Sequence, residues 1–176
     1  MSLRTIVVSS LLLIMFFASP VAADPNKVFK GKIMLSTKRY PLTAKSKAAY
    51  VAAVKKQSTT NFRENRENGT WKIYFAAFLS KPLNDVEYVI KFYELGRGTQ
   101  QLLGASEAFN DERGQKTIVS NITLEKKSFG VNKQLLMTIE NKGAVYASAR
   151  FKILGEGERY TGKVDFSEEE AGGKEE

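Results

Sequence analysis

The chain has 176 residues, a formal net charge of +8, and neither cysteine nor histidine. These absences exclude disulfide bonds, thiolate catalysis and the commonest zinc sites, and they remove the usual general base of a hydrolytic triad. Hydrophobic residues make up 43% of the sequence, which is typical of a globular protein. Carboxylates, amines, hydroxyls and amides remain for chemistry, and we expect neither a metal nor a cofactor.

Residues 1–23 have the three regions of a secretory signal peptide. Arg4 supplies positive charge, residues 5–19 are almost wholly apolar, and residues 21–23 are small enough for cleavage before Asp24. The apolar run has 15 residues, fewer than the roughly 20 that a membrane-spanning helix requires. We therefore expect cleavage. Because an exported chain without cysteine is more typical of bacteria, we expect a bacterial protein of the periplasm or the cell exterior.

The charge is distributed unevenly along the chain. Residues 27–72 contain 12 Lys and Arg and two acids, whereas residues 73–166 contain 13 basic and 11 acidic residues. Residues 167–176 carry five Glu and one Lys, a composition typical of a disordered acidic tail. The sequence predicts one folded domain over residues 24–166, with its basic character concentrated in the first third.

The first third of this domain predicts a strand followed by a helix. Residues 27–36 (KVFKGKIMLS) alternate in part between apolar side chains and lysines, which favours a strand. Residues 44–57 contain no Gly or Pro and are rich in Ala and Lys, with Thr43 available as the N-cap of a helix. The apolar stripe of the predicted helix consists of Ala44, Ala48 and Val51.

From Trp71 onwards the hydrophobic period changes to two. The further predicted strands are residues 71–79, 86–95, 101–109, 117–125, 134–140 and 144–154. About seven strands at this spacing favour an all-β protein, an antiparallel β-sandwich of immunoglobulin-like or C2-like type with one early helix. A small β-barrel is the alternative, because strand number and alternation do not distinguish the two.

The catalytic motifs are weak. Residues 157–163 match the first seven positions of a phosphate-binding loop, but Val164 stands where Ser or Thr must bind Mg²⁺, and no helix pattern follows. The available carboxylates are Glu87, Glu94, Glu107, Asp111 and Glu112. No two of them lie in a context that suggests burial side by side, as acid–base catalysis requires. We expect a protein that is not an enzyme, with a carboxylate-dependent hydrolase as the weakest alternative.

Eight Lys and Arg residues cluster between positions 38 and 66. For an exported protein, such a cluster favours contact with lipid headgroups, acidic cell-wall polymers or extracellular DNA. Lys45 and Lys56 are expected on nearly the same side of the helix. The candidate polyanion-binding residues are Lys45, Lys47, Lys55, Lys56, Arg63 and Arg66. The simpler interpretation of the same pattern is a solvated surface.

The outward sides of the predicted strands supply a second candidate site. If the rows that contain Trp71 and Val145 face the core, four candidate residues lie outside together with Lys152: Tyr74, Phe78, Tyr146 and Arg150. Aromatic side chains with arginine are typical of protein interfaces. In the alternative, the helix or residues 58–69 pack on this face and cover it.

Two functions follow from these patterns. The favoured hypothesis is an exported, non-catalytic β-sandwich module that binds an envelope or cell-surface protein through the aromatic and basic face. The alternative is a protein that binds an anionic polymer or lipid headgroups through the basic region of residues 38–66. Neither hypothesis requires a small-molecule cofactor.

Overall fold

The structure is a computed structural model that describes residues 24–96, 98 and 100–155. The predicted signal peptide, the predicted acidic tail and the motif at residues 157–163 lie outside these residues. The described helices are α1 (Pro25–Val28), α2 (Lys47–Gln57) and α3 (Lys126–Phe129). The described strands are β1 (Lys32–Ser36), β2 (Asn61–Arg63), β3 (Thr70–Leu83), β4 (Glu87–Glu94), β5 (Gln101–Phe109), β6 (Gln115–Glu125), β7 (Lys133–Asn141) and β8 (Ala144–Leu154). None of these helices is long and apolar enough to cross a membrane.

The eight strands form one hydrogen-bonded sheet. Its order is β5-β4-β7-β8-β1-β3-β6, and β2 pairs with β8 beside β1. The sheet curls into a half-barrel. The prediction of a mostly β protein is therefore confirmed. The immunoglobulin-like or C2-like sandwich is not confirmed, because the pairing of Lys32 with Ser148 links the strands into a single sheet.

The concave side of the half-barrel contains the main core. Trp71, Ile73 and Phe75 of β3 are buried there, as the alternation predicts. The inward rows of β4 and β7 are also buried, and they consist of Tyr88, Ile90, Phe92, Leu135, Met137 and Ile139. Because burial of each large apolar side chain contributes about 1.5–3 kcal/mol, these rows fix the side of the sheet that each strand presents to the core.

The chain before β1 forms a helix where the sequence predicts a strand. Pro25 occupies the first turn of α1, and the Asp24 carboxylate accepts a hydrogen bond from the backbone N–H of Asn26 (3.0 Å). Gly31 follows with φ of 73°, a conformation that favours glycine. The chain reverses there, and β1 begins only at Lys32.

The second helix also begins later than the composition predicts. The Ser46 hydroxyl accepts a hydrogen bond from the backbone N–H of Ala49 (3.1 Å), so Ser46 and not Thr43 is the N-cap. Ala44 therefore precedes the helix. The buried residues of α2 are Val51 and Val54, which pack on the convex side of β1 and β3 in a second, smaller core.

Candidate functional site

The helix α2 covers one of the four predicted aromatic and basic positions. Phe78 lies on the convex side of β3, as predicted, but its side chain is fully buried. Its ring centroid lies 4.8 Å from that of Phe29 and 6.5 Å from that of Tyr50. Phe78 is thus a core residue and not an exposed one, because the helices bury their own apolar side chains on this part of the sheet.

A β-bulge turns a second predicted residue inward. Ile139 of β7 pairs with Ala147 of β8, but the next residue, Glu140, pairs with Val145. Tyr146 is therefore an extra residue in β8. It is 8% exposed and belongs to the main core, whereas Val145 is 53% exposed. The prediction that Val145 faces the core and Tyr146 faces solvent is wrong, because one inserted residue reverses the alternation.

Tyr74 and Arg150 remain on the convex surface. Tyr74 is partly buried, pairs with Ser36 of β1, and has the ammonium of Lys72 5.4 Å from its ring centroid. Arg150 is exposed and pairs with Leu136 of β7. The predicted aromatic face is thus reduced to one tyrosine.

Four cations meet at the C-terminal end of α2. Lys55 and Lys56 occupy its last turn, where positive charge interacts favourably with the helix dipole. The side-chain amide of Gln57 donates to the carbonyls of Lys38 (2.7 Å) and Arg39 (2.8 Å). These bonds hold the loop between β1 and α2 against the end of the helix. All four cations are exposed.

Tyr40 anchors the same loop in the second core. Its buried hydroxyl lies 2.8 Å from the Ser58 hydroxyl. Since the Ser58 hydroxyl already donates to the carbonyl of Val54 (2.6 Å), the Tyr40 hydroxyl is the donor in this bond. Burial raises the pKa of Tyr40 to about 12. The loop that carries Lys38 and Arg39 is therefore fixed at two points.

The short strand β2 brings Arg63 alongside two cations of β8. Phe62 of β2 pairs with Ile153 of β8, and both side chains are buried in the main core. Because successive side chains of a strand point to opposite sides, Arg63 and Lys152 point outward. Arg150 lies two residues before Lys152 and shares its side of the sheet. All three are exposed.

These two groups of cations lie near each other, because the chain that leaves α2 is hydrogen-bonded to β8 through the backbone N–H of Lys152 and the carbonyl of Thr60 (2.7 Å). Five residue steps separate Lys56 from Asn61, so the chain cannot place them more than about 18 Å apart. We call this surface the basic face, and it consists of Lys38, Arg39, Lys55, Lys56, Arg63, Arg150 and Lys152.

Among the described residues, no acidic side chain compensates the charge of the basic face. Within the part of the chain that the structure describes, none of its seven residues forms an ion pair. The lysines that do form ion pairs are Lys91, Lys126, Lys127, Lys133 and Lys142. The positive charge on the basic face is therefore available to an external anion.

The structure separates the six predicted polyanion-binding residues. Lys55, Lys56 and Arg63 belong to the basic face. Lys47 is the first residue of α2 and Lys45 precedes it, so both lie at the other end of the helix, about 15 Å away. The prediction that Lys45 and Lys56 share one side of the helix is wrong, because Lys45 is not part of the helix.

Two clefts lie next to β2 and β3. Arg66 lines a cleft of about 270 Å³ together with Glu64. Lys126 and Lys127 line another of about 760 Å³. The ammonium of Lys126 lies 3.3 Å from the carboxylate of Glu64, and that of Lys127 lies 3.0 Å from that of Glu125. Since these charges are compensated, the larger cleft attracts an anion less than the basic face does.

One buried carboxylate, that of Glu140, is not among the carboxylates that the sequence suggests for catalysis. Glu140, on the convex side of β7, is 6% exposed and accepts hydrogen bonds from Lys91 (2.7 Å), Thr138 (2.8 Å) and Tyr93 (3.3 Å). Desolvation alone would raise the pKa of this carboxyl, but the hydrogen bonds from Lys91 and Thr138 outweigh it and hold the pKa below its usual range. The sequence does not reveal this cluster, because β4 and β7 are not consecutive strands.

Within residues 24–96, 98 and 100–155, no group of three or more acidic side chains is arranged to hold a metal ion. Comparison of the sequence with models of known protein families gives no match, and a search of curated proteins finds none that is similar. The basic face is therefore defined by its geometry and charge.

Proposed function

We propose that the chain is an exported, non-catalytic binding protein whose basic face engages an anionic component of the cell envelope or cell surface. The convergence of seven cations from the β1–α2 loop, the end of α2, and the β2–β8 pair is the observation that supports this function. None of the seven has a described acidic partner. Export rests on the signal-peptide pattern of residues 1–23.

The chemistry of the face suits closely spaced phosphates or carboxylates. Arg39, Arg63 and Arg150 offer planar guanidinium groups that bind such anions with two parallel hydrogen bonds, while the lysines act as point charges. The tethered loop and the hydrogen-bonded strands fix the backbone that carries these groups before the anion arrives, which lowers the entropy cost of binding. Anionic headgroups and acidic polymers share this chemistry.

Binding at increasing salt concentration tests the proposal. A chain that starts at Asp24 contains every described contact, so it can be used with vesicles of anionic and of neutral lipid and with soluble polyphosphate. We expect binding to the anionic probes that weakens steeply with salt, because exposed charges are screened over about 8 Å at physiological ionic strength. A comparison of the affinity for anionic vesicles with the affinity for polyphosphate then shows whether the basic face binds lipid headgroups or an anionic polymer.

Two variants with equal changes in charge locate the binding site. The first reverses Lys55→Glu, Arg150→Glu and Lys152→Glu on the basic face. The matched control reverses Lys27→Glu, Lys30→Glu and Lys116→Glu, which line a separate cleft. At about 1 kcal/mol for each basic residue near an anionic surface, the first variant should bind at least about 100-fold more weakly. Equal losses in both variants would contradict the proposal, because they would show a response to net charge alone.

A protein component of the envelope is the second candidate partner. Tyr74, with Lys72 over its ring, is an amphipathic contact of the type that is enriched at interfaces. Binding of such a protein partner should be lost in the variant Tyr74→Ala. It should also depend less on salt concentration than binding of a polyanion does.

A further inference from the structure

The strand β5 has an unusual unpaired edge. It stands at one end of the sheet, and among the described strands it pairs only with β4. Natural proteins often place lysine on such edges to prevent them from pairing with another chain. Of the eight described strands, β5 alone contains neither Lys nor Arg, and its single charged residue is Glu107. This edge therefore lacks the protection that lysine gives.

A β-bulge places two exposed apolar residues of β5 on the same side of the sheet. Leu102 is 51% exposed and Phe109 is 69% exposed. Residues seven positions apart in a regular strand would face opposite sides. However, Phe92 pairs with Gly104 and the next residue, Tyr93, pairs with Leu102, so β5 contains one extra residue between them. Leu102 and Phe109 consequently both face the convex side.

We propose that β5 pairs in antiparallel orientation with β5 of a second copy of this chain. The convex-side residues of β5 are Leu102, Ala105, Glu107 and Phe109. Because Leu103 is the extra residue of the bulge, a two-fold axis at Ser106 places Leu102 opposite Phe109 of the second copy. It also places Ala105 opposite Glu107 of the second copy. Apolar side chains then meet at both ends of the pair, and the two Glu107 carboxylates do not face each other, so the edge is complementary to itself.

The charge distribution favours a second copy at this edge over other parts of the surface. Residues 24–155 contain 23 Lys and Arg and 11 Asp and Glu, a balance of +12. Two copies therefore repel each other, and the repulsion is smallest where a strand carries no positive charge. Arg150 on β8 lies three strands from β5, about 14 Å away. The basic faces of the two copies would remain well beyond the screening distance of about 8 Å.

Sedimentation across a concentration series tests this dimer. For the chain that starts at Asp24, without any anion present, we expect the mass of two chains at the highest concentrations. The double variant Leu102→Lys and Phe109→Lys should sediment as one chain, because it adds positive charge to the edge and removes both exposed apolar side chains. Leu42→Lys is the control, because Leu42 is even more exposed than Leu102 and Phe109 but lies outside β5. A wild-type chain that stays monomeric, or a double variant that still dimerises, would overturn the proposal.

A cysteine cross-link tests the register. The chain contains no cysteine, so Ser106→Cys introduces a single thiol at the proposed two-fold axis. Opposed residues of an antiparallel pair come close enough for a disulfide, and we expect mild oxidation to cross-link this variant. Ser120→Cys, exposed on the opposite edge strand β6, is the control and should stay monomeric on a denaturing gel. Absence of a Ser106→Cys cross-link, or equal cross-linking of both variants, would refute the register. Neither test involves the basic face, so its outcome leaves the proposed anion binding unaffected.

Discussion

The backbone N–H of Lys152 donates a hydrogen bond of 2.7 Å to the carbonyl of Thr60. This bond attaches the chain that leaves α2 to the far strand β8, although the two residues are more than 90 positions apart in the sequence. It is the reason that cations from the first third of the chain and from its last strand lie on one surface.

The loop that carries Lys38 and Arg39 offers a test of preorganisation. Replacement Gln57→Ala removes both of the hydrogen bonds that hold this loop against α2. Because the loop must then be ordered on binding, we expect anionic vesicles to be bound about 2- to 10-fold more weakly, with little loss of stability. Gln101→Ala on β5 is the control, and the same weakening in that variant would contradict the role of the loop.

The bulge at Tyr146 predicts an unusual pair of mutational effects. Tyr146→Ala should lower the free energy of unfolding by about 3 kcal/mol, since it removes a large buried side chain. Val145→Ala should change it by less than about 0.5 kcal/mol, because Val145 is largely exposed. Urea denaturation measures both values. The opposite order would mean that β8 follows strict alternation.

The Glu140 cluster predicts an acid-sensitive contribution to stability. The pKa of Glu140 is lower in the folded protein than in the unfolded chain. Its contribution is therefore fully present above the unfolded pKa of about 4.3 and is lost as the pH falls through the lower, folded value. Glu140→Gln should lower the free energy of unfolding at neutral pH by about 2 kcal/mol, because charged hydrogen bonds are lost in a buried site.

Urea denaturation between neutral and acidic pH tests this linkage. We expect the difference in stability between the wild type and Glu140→Gln to shrink as the pH falls. Glu107→Gln, an exposed residue of β5, serves as the control and should show little difference at any pH. A Glu140→Gln difference that does not depend on pH would show that the carboxylate is not the source of the stabilisation.

Tyr40 predicts the corresponding effect at alkaline pH. Burial raises its pKa from an ordinary value of 10.0 to about 12. The neutral phenol therefore contributes stability that is fully present below about pH 10 and is lost as the pH rises towards 12. Tyr40→Phe should lose about 1 kcal/mol at neutral pH through the missing hydrogen bond to Ser58, and it should be less sensitive to alkali than the wild type. Thermal unfolding at several alkaline pH values would detect this difference, and equal sensitivity would contradict it.

The sequence predicts most of the strands because apolar side chains recur at alternate positions over much of their length. The span Gln101–Phe109 is predicted correctly, and so is the span Ala144–Leu154. The predicted strands over residues 134–140 and 144–154 leave room for only a short turn, and its residues Lys142 and Gly143 have φ of 49° and 78°, as a two-residue hairpin turn requires. Local patterns of this kind depend only on neighbouring residues.

The errors arise where distant parts of the chain decide the local structure. Strand β2 has three residues, too few to show a period, and it exists because Phe62 completes the main core beside β8. The β-bulge in β8 turns the side chain of Tyr146 to the core side of the sheet, opposite to the predicted side. Phe78 is covered by α2, which no pattern within β3 reveals. The basic face was therefore predictable only in part, since Arg150 and Lys152 join the cations of the first third solely through the pairing of β2 with β8.

The most direct test of the basic face is a map of backbone amide chemical shifts during titration with short-chain polyphosphate. Anion binding at the basic face predicts saturable shifts at Lys38, Arg39, Lys55, Lys56, Arg63, Arg150 and Lys152, with much smaller shifts at Lys27, Lys30 and Lys116. Shifts of similar size at every lysine and arginine, or a maximum at Lys27, Lys30 and Lys116, would contradict it.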